Sequence, residues 1–168
     1  MTESTRILRS LLFALLALAA TSVLAQTDAQ KAFQTIKTMP GSWEGKSLDG
    51  QTLQVTFKET AGGSAVMSEI LANKEDMISM FHLDGSGKLL MTHYCAVGNQ
   101  PRMQATVSPD GKTITFRYLD ATGLATPDAG HMQTMVLTLI DENHHTEDWT
   151  FVDHGKEMKQ FFDLHRKL

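Results

Sequence analysis

The feature that most constrains this chain is a change of period at Gly41. Beyond it, apolar and polar residues alternate one for one in short runs separated by glycine-rich turns. Leu53, Val55 and Phe57 alternate with Thr52, Gln54, Thr56 and Lys58, and Gly62-Gly63 turns the chain into residues 64–72. Runs 77–83 and 89–97 flank Asp84-Gly85-Ser86-Gly87, and runs 102–107 and 113–119 flank Ser108-Pro109-Asp110-Gly111. Both separators are hairpin signals. A longer loop over 120–130 is followed by runs 131–141, 146–153 around Trp149, and 157–166. With the run opened by Gly41-Ser42-Trp43-Glu44-Gly45, the pattern predicts ten strands and an all-β fold. A ten-stranded antiparallel up-and-down β-barrel is the expected form, because closure removes the unpaired edges that a meander otherwise exposes.

Ahead of the alternation the period is helical. Ala29, Ala32, Phe33 and Ile36 fall on one stripe, and Met39-Pro40-Gly41 ends it, which predicts a short helix over 28–37. One apolar stripe must lie on something, here the mouth or side of the sheet, so the helix is expected to cap the barrel. Residues 1–25 read differently. Arg6 and Arg9 precede an apolar run over 11–20, and Val23-Leu24-Ala25 supplies a small-residue cleavage pattern. The reading is a signal peptide over 1–25, a single domain over 26–168, and a periplasmic or secreted protein. The apolar run is shorter than the roughly 20 residues of a membrane span, and no later segment has that character.

Export implies an oxidising compartment, yet the chain has one cysteine, Cys95. It reads as a buried small hydrophobe, with a free thiol or an intermolecular link as the other choices. The net charge of -4 is spread over interspersed acids and bases. No basic block points to nucleic acid or to an anionic membrane.

The ends of the chain support closure. Trp43 sits in the first strand and Arg166 in the last, and in a closed barrel those strands are neighbours. A guanidinium can stack on an indole there, and Arg166 shares a face with Phe162 and Leu164, where a lone arginine needs a partner. Snorkelling of Arg166 to solvent at the chain end is the competing reading. This combination of a short N-terminal helix, Gly41-x-Trp43-x-Gly45, a β-meander and a late arginine resembles the calycin superfamily over most of residues 28–168. That superfamily groups lipocalins, fatty-acid-binding proteins and nitrobindin-like barrels, and the chain is also similar to secreted bacterial proteins of lipocalin-like type. The resemblance implies an interior cavity for a small apolar molecule or, in the nitrobindin-like group, haem held by a histidine of the last strand. The only histidine placed for that role is His165. It adjoins Arg166 and takes the opposite face, so an inward Arg166 turns it outward.

Residues 88–107 gather the chemistry. A loop of two or four residues at Gly85-Ser86 pairs Leu83 with Lys88, Met80 with Met91 and Ile78 with His93. His82 and His93 then lie roughly 13 Å apart along the ladder, too far to share one metal. A two-residue turn at Asn99-Gln100 pairs Val97 with Arg102 and Cys95 with Gln104, and the next hairpin pairs Arg102 with Arg117. One face therefore carries Met80, Met91, His93, Cys95, Arg102, Gln104 and Arg117, and the other carries Met103, Ala105, Ile114 and Phe116. The first face is either a wet outer surface or the wall of a ligand pocket, in which Arg102 and Arg117 hold a carboxylate. His93 and Cys95 are roughly 6–7 Å apart on one strand, long for a nucleophile and base. No catalytic set is apparent. His131 and His165 are candidate metal ligands, and His144-His145 reads as a solvated acidic turn with weak affinity for a divalent ion.

The expected function is non-covalent binding of a small hydrophobic or amphipathic ligand, including one that bears a carboxylate. A haem or metal protein using His93, His131 or His165 is the alternative, and a structural or interaction barrel with a filled interior is the third. The sequence does not set the oligomeric state.

Overall fold

The computed structural model describes residues 26–48, 50–72 and 75–167. The proposed signal peptide lies outside them. A nine-residue helix, α1 (Asp28–Ile36), is followed by ten strands: β1 (Gly41–Lys46), β2 (Thr52–Thr60), β3 (Ala65–Ala72), β4 (Glu75–Leu83), β5 (Leu89–Tyr94), β6 (Gln100–Val107), β7 (Thr113–Thr122), β8 (His131–Asp141), β9 (His144–Asp153) and β10 (Lys156–Arg166). Each strand pairs antiparallel with the next, and β1 also pairs with β10, so the meander closes into a barrel. No helix among the described residues is long and apolar enough to cross a membrane.

The helix starts where its cap is best. The Thr27 hydroxyl accepts from the Gln30 amide, and the Gln30 side chain accepts from the Thr27 amide, which together form a capping box. Ala32, Phe33 and Ile36 are buried against the ends of β4, β5 and β6. The helix thus plugs one end of the barrel. Below it, Phe57, Phe81 and Phe116 pack ring against ring at 5.4–6.4 Å, and this half of the interior is solid core.

The seam between β1 and β10 explains the Gly41-x-Trp43-x-Gly45 pattern. Trp43 and Arg166 are register partners. The guanidinium carbon lies 4.3 Å from the indole centroid, as the ends of the chain suggested. The indole Nε1 donates to the Met39 carbonyl at 3.0 Å. Arg166 donates to the carbonyls of Pro40 at 2.8 Å, Glu142 at 3.2 Å and Thr38 at 3.3 Å. One cation therefore ties the helix exit, the β8–β9 turn and both seam strands together. Any Cβ on Gly45 would stand 1.9 Å from the Asp163 carbonyl oxygen, and one on Gly41 would stand 2.9 Å from the Arg166 guanidinium. Both glycines are therefore required by the closeness of β10.

The registers around β5 differ from those expected. The β4–β5 loop closes on Asp84 and Lys88, with Gly87 in the left-handed region, so Leu83 pairs with Leu89, Phe81 with Met91 and Ser79 with His93. The Asp84 carboxylate accepts from the amides of Ser86 and Lys88 and stabilises this three-residue turn with its extra bulge residue. The next turn sits earlier than Asn99-Gln100. Cys95 and Asn99 close it around Gly98, again at positive φ. Met91 then pairs with Met103 and Thr92 with Arg102. Each shift is an odd number of residues, which exchanges the faces of the partner strand. Farther on, Arg102 lies opposite Asp120 and Gln104 opposite Arg117, past a bulge between Arg102 and Met103.

Candidate functional site

At the end opposite α1 the barrel is hollow. A cavity of about 290 Å³ opens between the ends of β1, β3, β5 and β9 and the starts of β2, β4, β8 and β10. Its walls are mainly apolar, with Leu53, Ile70 and Met77 on one side and Met132, Phe151 and Phe162 on the other. The inward alternation of each strand places these side chains there.

His93 is the polar group that matters most in this wall. It stands on β5 facing inward, fully buried. Its Nδ1 lies 2.9 Å from the hydroxyl of Ser79, its register partner on β4. Its ring leans on Trp149 at a centroid distance of 4.9 Å. Its Nε2 has no hydrogen-bond partner among the described residues, although the residue lines the cavity. Burial pulls the imidazole pKa down from 6.5 to about 4, so the ring is neutral at physiological pH. The Ser79 hydroxyl fixes which nitrogen carries the proton. If it donates to Nδ1, the free Nε2–H is a donor, and if it accepts, Nε2 is an acceptor.

Behind Trp149 the polar line continues down β9. The Trp149 Nε1 donates to the buried Glu147 carboxylate at 2.9 Å, and Glu147 lies 3.4 Å from His145 Nε2. The His145 ring meets Trp43 edge-on at 4.3 Å. Neither Glu147 nor His145 was expected inside. His145 belongs to β9 and not to a solvated turn, and the sequence signal was the alternation of His145, Glu147, Trp149 and Phe151 on one face.

The expected site residues divide by face. Met91, His93 and Cys95 point inward, and His93 and Cys95 line the cavity. Cys95 is half-buried, and burial pushes its thiol pKa up, so it is a neutral thiol and not an activated nucleophile. Met80, Arg102, Gln104 and Arg117 do not join them. The corrected registers turn Met80 to the outer face of β4, between the inward Ser79 and Phe81. Arg102 is exposed and pairs with Asp120, and Arg117 is exposed on β7 beside Gln104 on β6. The inner wall over β6 and β7 is Met103, Ala105, Ile114 and Phe116, the set expected to form plain core. No arginine of this group reaches the cavity, so a carboxylate held by Arg102 and Arg117 is ruled out there.

The two weaker histidines are also placed. His131 is buried against Tyr118, and its two nitrogens meet the Ala129 carbonyl at 2.7 Å and the Gln133 side chain at 3.2 Å. His165 is exposed on the outer face of β10, as an inward Arg166 demands. The residues therefore do not fit haem as the resemblance implies, because the last strand offers the cavity no imidazole. Comparison of the chain with protein-family models and with curated proteins finds no match.

Proposed function

We propose that the protein is an exported calycin-like carrier that holds one small, mostly apolar molecule non-covalently in the open half of its barrel. The observation that supports this is the unpartnered Nε2 of His93, a fully buried polar atom in a hydrocarbon-walled cavity. Leaving such an atom unsatisfied costs about 1–3 kcal/mol, and a bound oxygen recovers it. Apolar walls with a few polar groups, here His93 at depth with Ser47, Gln51, Thr52, Glu75 and Gln160 also in the lining, are the usual composition of a ligand site, and the volume lies near the lower end of the roughly 300–1,000 Å³ such sites span. The ligand is therefore compact, apolar over most of its surface, and carries one uncharged hydroxyl or carbonyl at the end that enters first. A neutral imidazole offers a carboxylate no compensating charge, so an anion is disfavoured at this depth.

The test uses Trp149, which touches His93 and reports on the cavity by fluorescence. Medium-chain alcohols and phenols are expected to bind and to change its emission, with the alkane of equal length binding about tenfold more weakly, the worth of one hydrogen bond. Replacing His93 with Leu should abolish the preference for the alcohol while retaining the alkane. Absence of any binding across the series, with unchanged tryptophan emission, would remove the proposal.

A further inference from the structure

On the outside of the barrel, at the end plugged by α1, a second constellation of side chains has no part in the cavity. His144 on β9 and His165 on β10 are direct register partners, and their rings stack at 4.1 Å with an interplanar angle of 21°. Asp163 is two residues before His165 and so shares its face. One oxygen of that carboxylate lies 2.6 Å from His144 Nε2 and 3.7 Å from His165 Nε2. The three ligating atoms fall within 4.8 Å of one another.

We infer that His144, Asp163 and His165 form a binding site for a divalent transition-metal ion, zinc in the first instance. Zinc takes imidazole nitrogen and carboxylate oxygen at about 2.0–2.2 Å in tetrahedral array, which sets its ligands roughly 3.3 Å apart. The separations of 2.6 Å and 3.7 Å bracket that value and the third pair lies within 4.8 Å, so the three atoms stand near ligating separation. Both imidazoles present Nε2 to the same carboxylate oxygen, so all three ligand atoms are gathered on one side of the pair. An imidazole and carboxylate set with no thiolate suits zinc, nickel or copper over a hard ion such as calcium. All three groups are open to solvent, so the ion has an entry path, and a water or an outside ligand takes its fourth position.

The position of the site gives it a consequence. It joins β9 to β10 beside Arg166, next to the β1–β10 seam where the barrel closes. An ion bound to the folded chain alone stabilises the barrel by mass action.

Untagged protein titrated with zinc chloride in a calorimeter is expected to take up one ion per chain. Its thermal midpoint should rise with zinc and fall back on adding EDTA. His144→Ala and His165→Ala should each weaken binding by more than about tenfold. Asp163→Asn, which preserves shape, should also weaken it. His154→Ala, which removes the exposed imidazole between Asp128 and Asp153 at the other end of the barrel, should leave binding unchanged. Absence of zinc-dependent heat and of a thermal shift would overturn the inference. So would full binding in His144→Ala or Asp163→Asn, or loss of binding in His154→Ala.

Discussion

His93 is held neutral by its surroundings, and this couples the cavity wall to pH. Its pKa is about 4 in the folded chain and 6.5 when solvated. Between those values the unfolded chain binds a proton that the folded chain does not. Stability is therefore intact above about pH 6.5 and declines as pH falls toward 4, by on the order of 3 kcal/mol when complete. Urea unfolding at pH 7 and pH 4.5 should show that decline in the native protein and a smaller one in His93→Phe. The neighbouring hydroxyl can be tested separately. Ser79→Ala orphans Nδ1 in a buried site and is expected to destabilise the fold by about 1–3 kcal/mol at pH 7. That buried pair was only half legible in the sequence. His93 stood out as a histidine in an apolar strand, but nothing in the sequence marked Ser79 as its partner. His145 and Glu147 went unplaced too, since a polar side chain does not announce an inward position, although both alternate in step with Trp149 and Phe151.

Existence and order were legible for every strand, because alternation and turn residues are local signals. Register was not, because it depends on how many residues a turn consumes. Two of the glycines at positive φ, Gly87 and Gly98, each admit an extra bulge residue, and an odd slip of the ladder sends a whole set of side chains to the other face. That is why Arg102 and Arg117 looked like pocket residues and stand on the outer surface. The seam was legible because it rests on residue types with few substitutes. Gly45→Ala places a methyl group against the Asp163 carbonyl and should destabilise the protein by about 3 kcal/mol or more, measured by thermal or urea unfolding. The capping box of α1 is a milder contribution. Thr27→Ala should lower stability by about 1 kcal/mol without changing the sheet, a difference visible in the unfolding midpoint but not in the far-ultraviolet spectrum.

At the scale of the molecule, the barrel is expected to have no stable partial form that stops short of its last strand. β1 and β10 come from opposite ends of the chain, and until they meet both are unpaired edges. A chain truncated after Lys159 loses the Arg166 ties to Pro40, Thr38 and Glu142 as well as the seam itself. It is expected to lack a cooperative unfolding transition and to aggregate, as checked by calorimetry and gel filtration.

Because α1 stoppers one end, the hollow is a cul-de-sac. Whatever sits in it cannot be pushed through from behind. If the proposed ligand occupies it, a newcomer must wait for that ligand to back out past Met158 and Val97, so displacement should proceed at a rate indifferent to how much competitor is supplied.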